Sequence, residues 1–483
     1  MTRILAWLLC APALLGLGSC AVNPVSGKQQ FNLMSEQQEV ATGRQGDAEV
    51  RRQYGVYADA TLQARIEAIG RDLALHSHRP GLPYRFTVLD STEVNAFALP
   101  GGPIYITRGL LAYLNTEAEV AAVLGHEVGH VTARHGAQQY SANQATQLGM
   151  ALLSVLSPDI GRASQSLISP LATAWLRGYG REHELEADRL GAEYLARTGR
   201  SPQAMVEVIG VLKNQELFDA ERARREGREP RAYHGVFATH PDNDTRLREV
   251  IDEVRQLTRD DRIKPEAPGA FLAALDGMVW GDSPDQGMVR DGVFRHGPLD
   301  FGMNLPTGWR VQNSTQVLTA QSPRGDVRLQ LVGLGATRGD IAARLQQALG
   351  RAPHTTIARG DRNGIEFAST RGNVNGAPFE ALGFRSGGQD LLLIGLARDR
   401  NAESSMQAAF RAAVDGLHPL DAAERESLKP LRIRLQKIDR RTTYRELAKD
   451  SPLGGEAESI LRLINGDWPA GEPARGRTIK VVR

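Results

Sequence analysis

The sequence predicts an α+β protein: a mainly helical first half around a small edge-stranded sheet, then a small α+β domain, then a β-α-α-β unit. Three observations predict it. Leu62, Ile66, Ile69 and Leu73 recur at the three- and four-residue spacing of one helix face. Strand-like runs at 84–89, 95–99 and 104–106 surround a Pro100-Gly101-Gly102 turn. After residue 290, strand runs alternate with turns such as Asn363-Gly364 and Ser386-Gly387-Gly388, accompanied by two helical segments.

Taken in order, helix is expected over 36–76, where Ser35 or Glu36 begins an acidic first turn. Thr116 and Glu119 have the spacing of a capping box, opening a helix through about His135. Further helices are expected near 141–156, 163–196, 202–220 and 243–258. Residues 259–290, with Asp260-Asp261, Pro265, Pro268 and Ser283-Pro284-Asp285, read as a boundary holding one short helix, Ala270 to Leu275. Strands follow at Val327 to Val332, Ile365 to Ser369, Ala381 to Arg385 and Leu391 to Leu396, with helices near 339–349 and 402–415. The last unit has a strand from Leu431 to Ile438, helices near 443–449 and 456–464, and a strand from Thr478 to Val482. The resulting scheme is 1–20, 21–260, a linker at 261–290, a domain at 291–420 and a unit at 428–483. About three folded domains suit the length of 483 residues at roughly 150 residues each.

The composition narrows the chemistry. With 58 basic against 56 acidic side chains there is no electrostatic case for a nucleic-acid partner. The two cysteines, Cys10 and Cys20, exclude a disulfide framework and a thiolate metal cluster in the body of the protein. Arg3 followed by an apolar stretch from Ile4 to Leu17 and small residues has the layout of a secretory signal. Its end, Leu17-Gly18-Ser19-Cys20, resembles a bacterial lipobox, which makes Cys20 the expected lipidation site; the alternative is a plain signal peptide with an incidental cysteine. Ala21 after the cysteine favours the outer membrane over the inner. The mature protein is expected to be periplasmic, soluble and lipid-anchored, since no later apolar run approaches the ~18–20 residues of a spanning helix.

His126-Glu127-Val128-Gly129-His130 carries the chemistry. Residues four apart share a helix face, so both imidazoles can reach one metal ion, with Glu127 beside them as a general base. A catalytic zinc usually takes a third protein ligand. Without thiols it must be His, Asp or Glu, and Arg181-Glu182-His183-Glu184-Leu185-Glu186-Ala187-Asp188 supplies carboxylates on a second helix. There, of Glu184 and Asp188, one can bind metal while the other holds a ligand imidazole.

Asn95-Ala96-Phe97-Ala98-Leu99-Pro100-Gly101-Gly102, the extended motif from His126 to His135, and Glu184-Leu185-Glu186-Ala187-Asp188 together resemble the HtpX/CAAX-prenyl-protease-like zinc metallopeptidases, in particular their soluble periplasmic BepA/LoiP-type members. The resemblance covers about 22–258. It implies a zincin-type domain holding one Zn2+ per chain through His126, His130 and Glu184, with Glu127 as catalytic base and Asp188 supporting a ligand. It also settles the choice of Glu184 over Glu186. The reaction implied is metal-assisted hydrolysis of peptide bonds, with Asn95, Ala96, Phe97 and Ala98 as an edge strand along which an extended substrate adds. His240, in a His-Pro loop, and Arg246 match the family's positions for a histidine that caps the zinc and an arginine near it; a structural loop histidine is the alternative. His135 and His183 adjoin the motifs and are expected to cap or pack.

Residues 428–483 faintly resemble a LysM glycan-binding module, although Arg440-Arg441-Thr442 stands where such modules open with Gly-Asp-Thr. Peptidoglycan contact and a structural cap are the two readings; 291–420 yields a fold class and no chemistry. The expected function is a zinc endopeptidase acting on misfolded or misassembled envelope proteins. The rival is a non-enzymatic assembly factor or peptidoglycan-associated scaffold with a closed or structural metal site.

Overall fold

The structure is a computed structural model that describes residues 20–142, 179–225 and 269–483, together with 246, 249–251, 254 and 257. The expected signal peptide, the helix near 141–156, the first part of that near 163–196, and His240 lie outside the described residues. The chain forms two compact units: one of 1–51, 56–278 and 433–483, the other of 52–55 and 279–432. No helix among the described residues is long and apolar enough to cross a membrane.

In the first unit the expected helix over 36–76 is two helices, α1 (Glu36–Tyr54) and α2 (Ala60–Leu75). Gly55 takes a left-handed conformation, φ 73°, and Asp59 caps α2 by accepting from Leu62 N at 2.9 Å, so the backbone has cause to stop and restart. Leu62, Ile66, Ile69 and Leu73 form the buried face of α2. Against it lies a sheet of β1 (Arg85–Leu89), β2 (Ala96–Ala98) and β3 (Pro103–Thr107). β3 is central, parallel to β1 and antiparallel to β2, which is the outer strand beside the site. Phe86 of β1 packs so closely on α2 that a Cβ on Gly70 would lie 2.3 Å from its ring.

α3 (Glu117–Thr132) follows, buried throughout from Glu119 to Thr132. Thr116 caps it by accepting from Glu119 N at 3.0 Å, but the Glu119 side chain accepts from Asn115 N rather than completing the expected box. The helix ends three residues before the expected His135. Ala133 and Arg134 turn the chain, Arg134 with φ 63°, and a new helical stretch begins at 135. α4 (Arg181–Arg197) crosses α3 where glycine meets glycine: a Cβ on Gly125 would lie 3.3 Å from the Gly191 carbonyl oxygen, and one on Gly129 3.0 Å from that of Ala187. This close approach brings the polar faces of α3 and α4 together. α5 (Gln203–Arg225) packs behind them.

The second unit is built on a seven-stranded antiparallel sheet of β4 (Arg310–Asn313), β5 (Val317–Gln321), β6 (Val327–Ala336), β7 (Ala358–Arg362), β8 (Ile365–Val374), β9 (Ala377–Ser386) and β10 (Gln389–Ala397), in the order β4-β5-β6-β10-β9-β8-β7. Period-two alternation divides its core. Leu391 and Leu393 face Met406 and Phe410 of α7 (Glu403–Asp415), whereas Leu392 faces Ile341 and Leu345 of α6 (Ile341–Leu349).

The expected β-α-α-β order is present in β11 (Leu431–Lys437), α8 (Tyr444–Ala448), α9 (Ala457–Ile464) and β12 (Thr478–Val482), with β11 and β12 antiparallel. Residues 433–483 fall within the first unit, so the stretch read as 428–483 divides near its start. Lys480 of β12 is fully buried and donates to the carbonyl oxygens of Ala112 and Leu114, at 2.7 and 2.8 Å, just ahead of α3.

Candidate metal centre

His126 and His130 lie one turn apart on α3, and their Nε2 atoms are 3.0 Å from each other. From α4, Glu184 reaches both: one carboxylate oxygen is 3.5 Å from His126 Nε2, the other 3.4 Å from His130 Nε2. All three side chains are buried, and their ligand atoms lie within 4.8 Å of one another; among the described residues they form the one such cluster.

The hydrogen bonds behind the rings decide which atoms face inward. His126 Nδ1 is 2.8 Å from Asp188 Oδ1, so Nδ1 carries the proton and Nε2 presents its lone pair. The lone pair of His126 Nε2 and the Glu184 carboxylate thus converge with His130 Nε2 on one point, a donor set of two imidazoles and a carboxylate that suits a divalent cation. The residues present therefore fit a zinc-type ion.

Asp188 is held in turn by Arg246, which donates from Nε to Oδ2 and from Nη2 to Oδ1, both at 2.7 Å. Burial alone would raise the Asp188 carboxyl, but Arg246 and His126 hold it down at about 2. Burial would likewise lower Arg246, yet Asp188 and Glu184 raise it. Burial opposes protonation of His126 as well, and Asp188 with Glu184 outweighs it, raising the ring above its ordinary value. His135 Nδ1 lies 2.8 Å from His130 Nδ1; burial, with His126 and His135 nearby, drives His130 well below its ordinary value.

Glu127 is buried beside the cluster. Tyr179 stacks on His130, ring centroids 4.0 Å apart, and burial with Glu127 and Glu184 nearby pushes its phenol up. Ala96, His126, Glu127 and Arg246 border a small pocket whose other walls are apolar, among them Val123, Val208 and Leu212.

Of the residues singled out in the sequence, the structure brings together His126, Glu127, His130, Glu184, Asp188 and Arg246, and sets Ala96 at the same pocket. Asn95, Ala96, Phe97 and Ala98 are buried at β2. Arg246 grips Asp188, a role its position in the sequence did not indicate. His135 packs, buried and stacked on His183, and in addition hydrogen-bonds: its Nδ1 lies 2.8 Å from His130 Nδ1, and its Nε2 is 3.1 Å from Glu186 Oε2. On a continuous helix a residue five positions on points well away from His130; the left-handed turn at Arg134 returns it.

Residues 60–254 match the model of peptidase family M48. The beta-barrel assembly-enhancing protease of Escherichia coli (strain K12) is 29% identical over 241 residues, covering 48% of this chain and 47% of that protein. The mitochondrial metalloendopeptidase OMA1 of Arabidopsis thaliana is 34% identical over 169 residues, 34% of this chain and 33% of that one. The metalloprotease YcaL of Escherichia coli (strain K12) is 27% identical over 182 residues, 38% of this chain and 66% of that one. The chain spans about half the length of the assembly-enhancing protease it matches. His126, His130 and Glu184, the cluster of α3 and α4 that could hold a metal ion, lie within the residues that match this family model.

Proposed function

We propose that this protein is a zinc-dependent endopeptidase that hydrolyses peptide bonds in misfolded or misassembled proteins of the cell envelope. The observation that carries the reading is the convergence of His126, His130 and Glu184 with Glu127 buried beside them, because a purely structural ion has no need of Glu127. Zinc, one ion per chain, would be held by those three ligands and would supply Lewis-acid polarisation of the scissile carbonyl and acidification of water. Glu127 takes the proton of the attacking water and returns it to the leaving amine. An extended substrate pairs with β2, its backbone beside Asn95 to Ala98. The name of the Escherichia coli relative, beta-barrel assembly-enhancing protease, supports an envelope substrate.

In this reading Cys20 carries lipid and holds the enzyme at the periplasmic side of the outer membrane, His240 caps the metal, and 428–483 contacts peptidoglycan. Loss of the membrane-bound fraction in Cys20→Ser and co-sedimentation with peptidoglycan test the first and last of these. The main experiment compares cleavage of casein and an unfolded porin by the zinc-loaded wild type, Glu127→Gln and His240→Ala. Wild type is expected to cleave, Glu127→Gln to bind zinc without cleaving, and His240→Ala to cleave faster. Intact substrates with both wild type and His240→Ala would sink the endopeptidase reading in favour of a non-enzymatic assembly factor.

A further inference from the structure

His126 and His130 are supported differently. Behind His126 stands a carboxylate, Asp188; behind His130 stands another imidazole. His130 Nδ1 lies 2.8 Å from His135 Nδ1, His135 Nε2 lies 3.1 Å from Glu186 Oε2, and the other Glu186 oxygen accepts from Asn23 Nδ2 at 3.4 Å. His135 is fully buried, while Glu186 sits at the margin with its side chain 21% exposed. His183 stacks on the far side of His135, ring centroids 4.2 Å apart and planes 20° from parallel, so the ring has little freedom to turn.

We propose that His135 and Glu186 are positioning residues: a two-step hydrogen-bond relay that fixes the tautomer and orientation of His130 for the metal. Each step admits one assignment. The ionised Glu186 carboxylate accepts and does not donate, so His135 donates to it from Nε2. A neutral His135 then has a lone pair at Nδ1, which accepts from Nδ1–H of His130. That leaves the lone pair of His130 at Nε2, facing Glu184 and His126 Nε2. A single carboxylate behind a ligand imidazole is the ordinary arrangement. Here the carboxylate stands one imidazole further back, on the same helix as Glu184 and two residues after it. Glu186, the rival of Glu184 in the sequence, thus acquires a role of its own.

The relay rests on the reading of His130 as a metal ligand, and the test separates the two. Zinc affinity of the purified full chain is measured by competition with a chromophoric chelator, with thermal unfolding of the metal-free forms as the check on folding. Glu186→Ala and His135→Phe are expected to bind zinc about 10–100-fold more weakly than wild type. His135→Gln, whose amide oxygen can accept from His130 and whose amide N–H can donate to Glu186, is expected to recover most of the loss. A merely space-filling His135 would be replaced better by Phe than by Gln. Wild-type affinity in Glu186→Ala, or Phe equal to Gln at position 135, overturns the relay while leaving the metal site standing. A wild type that binds no zinc overturns both. Should His135→Phe fail to fold, Glu186→Ala reads the relay from its more exposed end.

Discussion

Arg246 donates two hydrogen bonds of 2.7 Å to Asp188, one to each carboxylate oxygen, and Asp188 turns one of those oxygens to His126. All three side chains are buried, so the pair is both a structural clamp and the backing of a ligand. Arg246→Leu leaves Asp188 charged and buried with one partner fewer, at a cost of about 3–5 kcal/mol. Arg246→Lys keeps the charge but cannot donate from a planar fork. It is expected to fold and to bind zinc at least tenfold more weakly. Chelator competition reads the affinity and thermal unfolding the stability; a lysine variant equal to wild type in both would show that the fork is dispensable.

The glycine contacts between α3 and α4 set how near Glu184 comes to the histidines. In Gly129→Val the larger side chain meets the Ala187 backbone, at 3.0 Å even for its first carbon. Overpacking of this kind costs about 1–3 kcal/mol, against roughly 1 kcal/mol gained in helix propensity over glycine by the best helix former and less by valine. The expected outcome is net destabilisation together with weaker zinc binding, because the helix that carries Glu184 is displaced. Urea unfolding and the same competition assay check it, and a variant with unchanged zinc affinity would uncouple the crossing from the site.

Lys480→Met should be costly far from any metal ligand. It strips the carbonyls of Ala112 and Leu114 of a donor and removes the lysine whose field opposes the rise that burial imposes on the Glu119 carboxyl. The loss is expected at roughly 2–5 kcal/mol by urea unfolding. Adding Glu119→Gln should recover part of it. Strict additivity of the two substitutions would argue that Lys480 and Glu119 do not interact.

Acid should weaken the second unit through His296. Burial lowers this imidazole to about 4, and its Nδ1 accepts from Leu299 N at 3.2 Å, so the folded form keeps it neutral. Between pH 6.5 and 4 the unfolded chain takes up a proton that the folded chain refuses. The contribution is therefore intact above 6.5 and is lost as pH falls through this window, by a few kcal/mol at most. His296→Asn, which retains an acceptor near the Nδ1 position, is expected to flatten the unfolding free energy over this range. An equally steep profile in the variant would assign the acid sensitivity elsewhere.

His126, Glu127 and His130 were legible in the sequence because a spacing of four has one meaning on a helix, whereas Glu184 was singled out from its neighbouring carboxylates only by the resemblance to a metallopeptidase family. His135 was not legible, since its place depends on a left-handed turn at Arg134 that no local signal announces. Among the strands, β9 and β10 show as apolar runs because residues on both of their faces are buried, whereas β6 and β8 show as alternation of buried with more exposed residues. The edge strand β7, Ala-Arg-Gly-Asp-Arg, is mostly solvent-facing and carries no such run. Lys480 was hidden for a related reason: lysine reads as surface, and only the carbonyls of Ala112 and Leu114 make its burial tolerable.

The first unit is discontinuous, and that has a consequence in time. A chain emerging N-terminus first presents 56–278, with every metal-ligating side chain, before 279–432 and well before Lys480. Residues 279–432 separate the two parts, so the interval lasts until that whole stretch has emerged. Through that interval the carbonyls ahead of α3 lack their buried cation. The unit that holds His126, His130 and Glu184 is thus the last to be completed, a built-in delay between the birth of the site and its consolidation.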